Sequence, residues 1–319
     1  MKKKIGKWLS IVLPLFLGIY LINYKYNEFS SAQLSEIKSY FKNADYIYIY
    51  LSLVFALFGF LSRAYRWKYA IEHLGYTAHF YNNLMAVCVG YFMNLTLPRS
   101  GEFSRALVLK KYENIPFDKA FGTIVAERVV DTLIFLLFVL ASLVFQFNVL
   151  KEFISAKIPI ENLLILGLVG LVGFLVFILV WLYSKWRIVA IVKTKLSGLV
   201  EGMFSILKMK NKWAFLFHSL FIWLTYILMF YITIFALKET STISFGAVTI
   251  AFIFGTLVVG FTNGGFGVYP LIIAQIFMLY GVPDTAGTAL GWLAWASQTI
   301  LMIVLGGLSF LFLPVLNRK

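Results

Sequence analysis

Leu97-Pro98-Arg99-Ser100-Gly101-Glu102-Phe103-Ser104-Arg105 cuts through an apolar stretch that otherwise runs from residue 80 to 112. Thr262-Asn263-Gly264-Gly265-Phe266-Gly267-Val268-Tyr269-Pro270 does the same to a second stretch, from 243 to 281. Irregular backbone at membrane depth survives only where protein or water satisfies its freed N–H and C=O groups, so such breaks line cavities. A matched pair of interrupted segments is the best pointer in a sequence to a transporter's binding site. The expected turn residues are Pro98 and Gly101 in the first break and Asn263, Gly264, Gly265 and Gly267 in the second.

Working outward, the remaining hydrophobic runs read as plain spanning helix. The 319 residues are 61% apolar, 18% aromatic and 13% charged, which excludes an ordinary soluble domain. Spans are expected at 8–24, 45–62, 119–147, 160–184, 213–237 and 285–313. The fold class is thus an all-α polytopic membrane protein with about six spanning helices and two re-entrant helical hairpins. Lys2, Lys3, Lys4 and Lys7 precede the first run, and no small-residue cleavage site follows it, so it reads as an uncleaved span.

Charge tests this layout independently. Segments 1–7, 63–79, 110–119, 184–212 and 314–319, placed on the cytoplasmic side, hold 19 Lys or Arg against six on the opposite side. Basic residues favour cytoplasmic loops, so both termini are expected in the cytoplasm. The net +14 is accounted for by topology, and no nucleic-acid partner is expected. The chain reads as a single transmembrane domain, 1–319, with halves of about 1–147 and 160–319. Each half has two spans, a hairpin and a third span, in opposite orientation: an inverted repeat suited to alternating access.

After loops are set aside, six ionisable residues remain at expected bilayer depth: Arg99, Glu102, Arg105, Glu127, Arg128 and Asp131. Burying such a group costs roughly 2.5–3.5 kcal/mol on insertion scales, so it pairs, faces a cavity and marks function. Glu127 and Asp131, at i and i+4, share a helix face. Glu102 and Arg105 follow the Gly101 break, where the N–H groups and positive dipole end of a half-helix favour an anion. Arginine forks are the usual partners of phosphate. A buried ion-pair cluster that only locks helices together is the structural alternative.

The run from Asn94 to Leu133, with LPRSGEFSRAL and then IPFDKAFGTIVAERVVD, resembles the signature of the lysylphosphatidylglycerol synthase transmembrane-region family, a flippase-like group that includes UPF0104-type proteins. GGFGVYP resembles that family's C-terminal glycine-rich turn, and the likeness extends over essentially the whole chain. It implies a protein of the bacterial inner (cytoplasmic) membrane, with re-entrant helices, that moves or presents lipids. It places functional weight on Pro98, Arg99, Gly101, Glu102, Arg105, Glu127, Arg128 and Asp131, with Gly264, Gly265 and Gly267. No soluble synthase domain is expected after the last span, so the aminoacylating activity is not expected here. Asn263 stands where many members have proline.

The leading expectation is a flippase for an anionic phospholipid or a polyprenyl-phosphate-linked lipid, its head group held by Arg99, Arg105 and Arg128 with Glu102, Glu127 and Asp131 positioning them. Anionic membrane lipids are the expected partners. No P-loop is present, so a drive would come from an ion gradient, a partner or the lipid gradient. The alternative is an integral membrane enzyme that modifies a lipid head group, with Glu127 or Asp131 as general base. A non-transporting scaffold is the third reading. His73, His79 and His218 have no metal-ligand spacing and Cys88 is the lone cysteine, so neither a metal site, a cofactor nor a disulfide is expected. Tyr46, Tyr48 and Tyr50 read as an interfacial belt. Gly167, Gly170 and Gly173 form a face for close helix approach, within the fold or across a homodimer.

Overall fold

The computed structural model describes residues 16–97, 99–146 and 208–318. The expected span at 160–184, the Gly167, Gly170 and Gly173 face, most of the basic loop from 184 to 212, and Pro98 lie outside the described residues. All regular structure among the described residues is helical.

The chain divides into two compact units, 1–127 with 209–319, and 128–208. In the first, α1 covers 16–28 and α2 covers Ser31–Asn43. α2 starts with a reciprocal capping box: Gln33 N–H donates to Ser30 Oγ and Ser30 N–H donates to the Gln33 side chain. α3 (Tyr46–His73) follows, capped by Asp45, whose carboxylate accepts from Ile47 N–H. α4 (Phe80–Thr96) and α5 (Ser100–Tyr112) flank the first break, and α6 (Phe117–Phe145) begins in this unit. α7 (Lys212–Thr233) ends in a 3-10 turn, Ile234–Ala236. α8 (Phe245–Phe261) and α9 (Val268–Met278) flank the second break, and α10 (Asp284–Leu316) closes the chain.

Among the described residues, four helices are long and apolar enough to cross a membrane: Tyr46–His73, Phe117–Phe145, Lys212–Ala236 and Asp284–Leu316. A bilayer core about 30 Å thick needs about 20 helical residues. The halves of the broken segments, 17 and 13 residues in α4 and α5, and 17 and 11 in α8 and α9, each fall short.

The first short pair folds back on itself through small residues, and small residues also seat the second against α10. A Cβ on Gly101 would collide with the Gly90 carbonyl and the Asn94 side chain, so α4 and α5 meet backbone to backbone. On α10, Gly287 meets the Ala274 backbone and Gly291 the Pro270 backbone, seating α9 against it. α3 packs along α7, and α4 against α3 and α10. The interior contains Trp67, Phe215, Ile222, Ile273 and Phe277. Tyr46 and Tyr50 at the start of α3 are exposed, and Tyr48 packs against Phe235.

One expectation is corrected. The segment 63–79, expected as a cytoplasmic loop, begins as helix: α3 continues to His73 and buries Arg63 and Arg66. The physical reason is visible in the apolar register: Phe60, Ala64, Trp67 and Ile71 keep a helical period past the arginines, and all four are buried. The stretch 25–45, expected as a loop, contains α2.

The described part of the second unit is the remainder of α6 and the turn at Gln146, with Lys208. Its own ion pair joins Arg128 Nη1 to Asp131 Oδ2 at 3.5 Å, and Thr132 Oγ1 donates to the Arg128 carbonyl at 2.8 Å.

Candidate functional site

Glu127 is the centre of a group assembled from four helices. Its side chain is 0% exposed, as is that of Arg66, and Arg105 is 3% exposed. Oε2 of Glu127 accepts from Arg105 Nη1 at 3.1 Å, and Oε1 lies 3.5 Å from Arg66 Nε. α6 thus supplies the carboxylate, α3 one guanidinium and α5 the other.

The surroundings fix those side chains. Arg66 Nη1 donates to Ser219 Oγ of α7 at 3.2 Å, and its guanidinium lies 5.5 Å from the centre of the Phe215 ring. Arg105 lies over the face of Trp67 at 4.2 Å, a cation–π contact in a water-poor setting. Trp67 Nε1 in turn donates to Thr123 Oγ1 at 2.9 Å, tying α3 to α6. One turn before Arg66, Arg63 donates to the Tyr226 hydroxyl at 3.1 Å, and Tyr226 makes a short hydrogen bond to Tyr91. Cost decides what this arrangement can be. Charges held away from water are tolerated only when paired and hydrogen-bonded, and loss of one partner leaves the others stranded. Two arginine forks on one carboxylate are also groups that a phosphate can engage, since it offers the same kind of oxygen acceptors.

Not every expected residue joins this group. Arg105 and Glu127 do. Arg99 is exposed, adopts a left-handed backbone (φ 60°) at the start of α5, and forms no ion pair among the described residues. The anion cradle expected at the start of α5 is partly filled by the protein: Asn94 Oδ1 accepts from Gly101 N–H at 2.8 Å, the Leu97 carbonyl accepts from Ser100 N–H, and Glu102 sits in the first turn. Arg128 and Asp131 pair with each other in the second unit, with side-chain exposures of 41% and 9%. Arg66 and Arg63 are the residues the sequence reading missed. Their signal was present, because no proline separates them from the preceding span and the buried register runs straight through.

The second break is uncharged and tightly braced. Gly264, Gly265 and Gly267 all have positive φ, a region where a side chain is strained. Trp295 Nε1 of α10 donates to the Gly264 carbonyl at 2.7 Å, and Gly265 N–H to Thr262 Oγ1 at 3.0 Å. Leu95, two residues before the first break begins in earnest at Leu97, packs where a Cβ on Gly264 would stand. The last turn of α4 therefore touches the second break. Beside this contact, Asn263 is buried and its side-chain amide has no hydrogen-bond partner among the described residues.

Comparison with known proteins covers nearly the whole chain. Residues 7–307 match the family described as the lysylphosphatidylglycerol synthase TM region. A relative in Methanocaldococcus jannaschii, UPF0104 membrane protein MJ1595, is 27% identical over 347 aligned residues, covering 98% of this chain and 97% of the relative. No solved structure matches the chain.

Proposed function

This chain belongs to the lysylphosphatidylglycerol synthase transmembrane-region family, and from that membership and its buried Arg66–Glu127–Arg105 group we propose a translocase for lipids with anionic head groups. It is a membrane protein, with four helices of spanning length among the described residues. The cargo is an anionic phospholipid or a polyprenyl-phosphate-linked lipid, and the membrane is the cytoplasmic one.

The observation that carries the reading is Glu127, wholly buried and bound by two arginines from different helices. A head-group phosphate competes with this carboxylate for Arg105 and leaves the tails in the bilayer. Glu127 holds the arginines ready when the site is empty and reclaims them when the lipid departs. The Arg128–Asp131 pair offers the same exchange in its own unit: the arginine is half-exposed and its carboxylate partner is buried. The two interrupted segments act as re-entrant gates, charged on one side and glycine-rich on the other. Internal symmetry of the inverted-repeat kind lets one binding group serve both faces.

A sidedness assay tests this. Purified chain in liposomes with a fluorescent phosphatidylglycerol analogue in both leaflets should make the protected inner-leaflet fraction accessible to an added quencher. Arg105→Gln and Arg128→Gln should each slow that exchange by tenfold or more on the order of magnitude expected for loss of a charged contact. Exchange by these variants at the unaltered rate overturns the proposal. A covalently altered lipid, seen by mass spectrometry of the same sample, would favour head-group chemistry instead.

A further inference from the structure

A second site lies away from Glu127, under α2. α1, α2, the second break with α9, and α10 line a half-open cavity of about 270 Å³. Its walls are almost wholly apolar, with Ile22, Phe29, Ile37, Phe41, Leu271 and Trp292 among them. That volume is slightly below the roughly 300–1,000 Å³ of sites that take a whole drug-sized ligand, so it suits part of a larger, mostly hydrocarbon molecule.

α2 explains why the cavity exists. Its apolar side chains Leu34, Ile37 and Phe41 recur at helical spacing and line the cavity, yet no residue of α2 is fully buried. A short amphipathic helix that roofs apolar space in a membrane protein is built to meet acyl chains.

Two lysines border this space. Lys25 is already neutralised, by Asp284 Oδ2 at 2.5 Å and Glu28 Oε2 at 3.0 Å. Lys38, one residue from Ile37 on α2, is exposed and forms no ion pair among the described residues. The lining thus presents hydrocarbon walls with a single uncommitted positive charge. Gly267 of the second break also lines the cavity, and its backbone lies directly against that of Gly18 in α1, so the site is continuous with the braced turn.

We propose that this cavity binds one acyl chain of an anionic glycerophospholipid, whose head group is met by Lys38. The site shares no residue with the Glu127 group, and its one residue from the second break is Gly267.

The test uses the full chain in nanodiscs of phosphatidylcholine doped with a phosphatidylglycerol that carries a photoreactive diazirine on one acyl chain. After irradiation and digestion, adducts should concentrate on the peptides containing Ile37 and Phe41 and on those containing Leu271 and Trp292. Ile37→Trp, which fills the cavity from a helix with no buried residue, should remove most of that labelling. Leu271→Phe fills it from the opposite wall and serves if the first variant does not fold, as judged by size-exclusion elution. Lys38→Glu should lower labelling by the phosphatidylglycerol probe about fivefold, the scale of one basic residue at a membrane surface, and leave a matched phosphatidylcholine probe unchanged. Equal labelling of the unaltered protein by the two probes overturns the head-group assignment. Adducts spread over exposed lipid-facing side chains such as Leu136 and Leu137, unaffected by either filling variant, overturn the site.

Discussion

Arg66 of α3 meets Glu127 of α6 at 3.5 Å with both side chains entirely removed from the surface, across 61 positions of sequence. With Arg105 on the other carboxylate oxygen, the contact locks three helices to one another. Its energetic weight lies mostly in what happens when one member is removed.

Glu127→Ala should therefore destabilise the protein by about 3–5 kcal/mol, because it strands two buried guanidiniums. Thermal unfolding in detergent would read this as a lowered midpoint. Replacing Arg66, Arg105 and Glu127 together by methionine should recover most of the loss, since an apolar cluster of similar volume needs no charge pairing. If the group acts on head groups, the triple variant folds and its lipid exchange does not return.

Gly101→Ala should cost about 1–3 kcal/mol, the usual range for forcing extra volume into a packed contact, because its methyl group meets the Gly90 carbonyl. Gly260→Ala is the matched control. It lies in α8 with open space at its Cβ, and should be neutral or gain roughly 0.5–1 kcal/mol from helix preference. A comparison of folded yield and unfolding midpoint between the two variants checks the α4–α5 contact specifically.

Asn263→Leu should leave stability unchanged or raise it. The amide is buried and has no hydrogen-bond partner among the described residues, so removing it relieves an unpaired polar group of a kind worth about 1–3 kcal/mol. Lipid exchange by this variant should fall if the amide serves a passing head group where α4 meets the second break. A stable variant with normal exchange would assign Asn263 to packing alone.

The Lys25–Asp284 pair predicts an alkaline limit. Burial lowers the lysine's proton affinity, but its hydrogen bonds to Asp284 and Glu28 outweigh that and raise it above the ordinary 10.5. A raised value in the folded state means the contribution is complete below about pH 10.5 and is lost as pH climbs through the folded-state value. Unfolding midpoints of the unaltered protein and Lys25→Met should differ by a constant amount from pH 7 to 10 and converge above it.

The long helices were legible because hydropathy and period are local. The expected spans at 45–62, 119–147, 213–237 and 285–313 correspond to α3, α6, α7 with its 3-10 turn, and α10. Both breaks fall where glycine and polar residues interrupt the apolar runs, and Gly264, Gly265 and Gly267 adopt the positive φ that such a turn needs. The error at Arg63 and Arg66 has a local cause too. Two arginines within four residues end a hydropathy window, although the buried register of Phe60, Ala64, Trp67 and Ile71 continues beyond them.

The sequence by itself determined the class of the molecule, its interrupted segments and the presence of ionisable residues among apolar ones, because each follows from chemistry within a window of a few helical turns. Only the tertiary structure decided which charges belong together. Arg66 joins Arg105 beside Glu127 while Arg99 stays outside that group, Arg128 pairs with Asp131, and Leu95 brings the last turn of α4 against Gly264 of the second break. Partnerships between distant positions depend on how helices cross, and helix crossing is set by side-chain volume and close backbone approach at contacts that no single stretch of sequence contains.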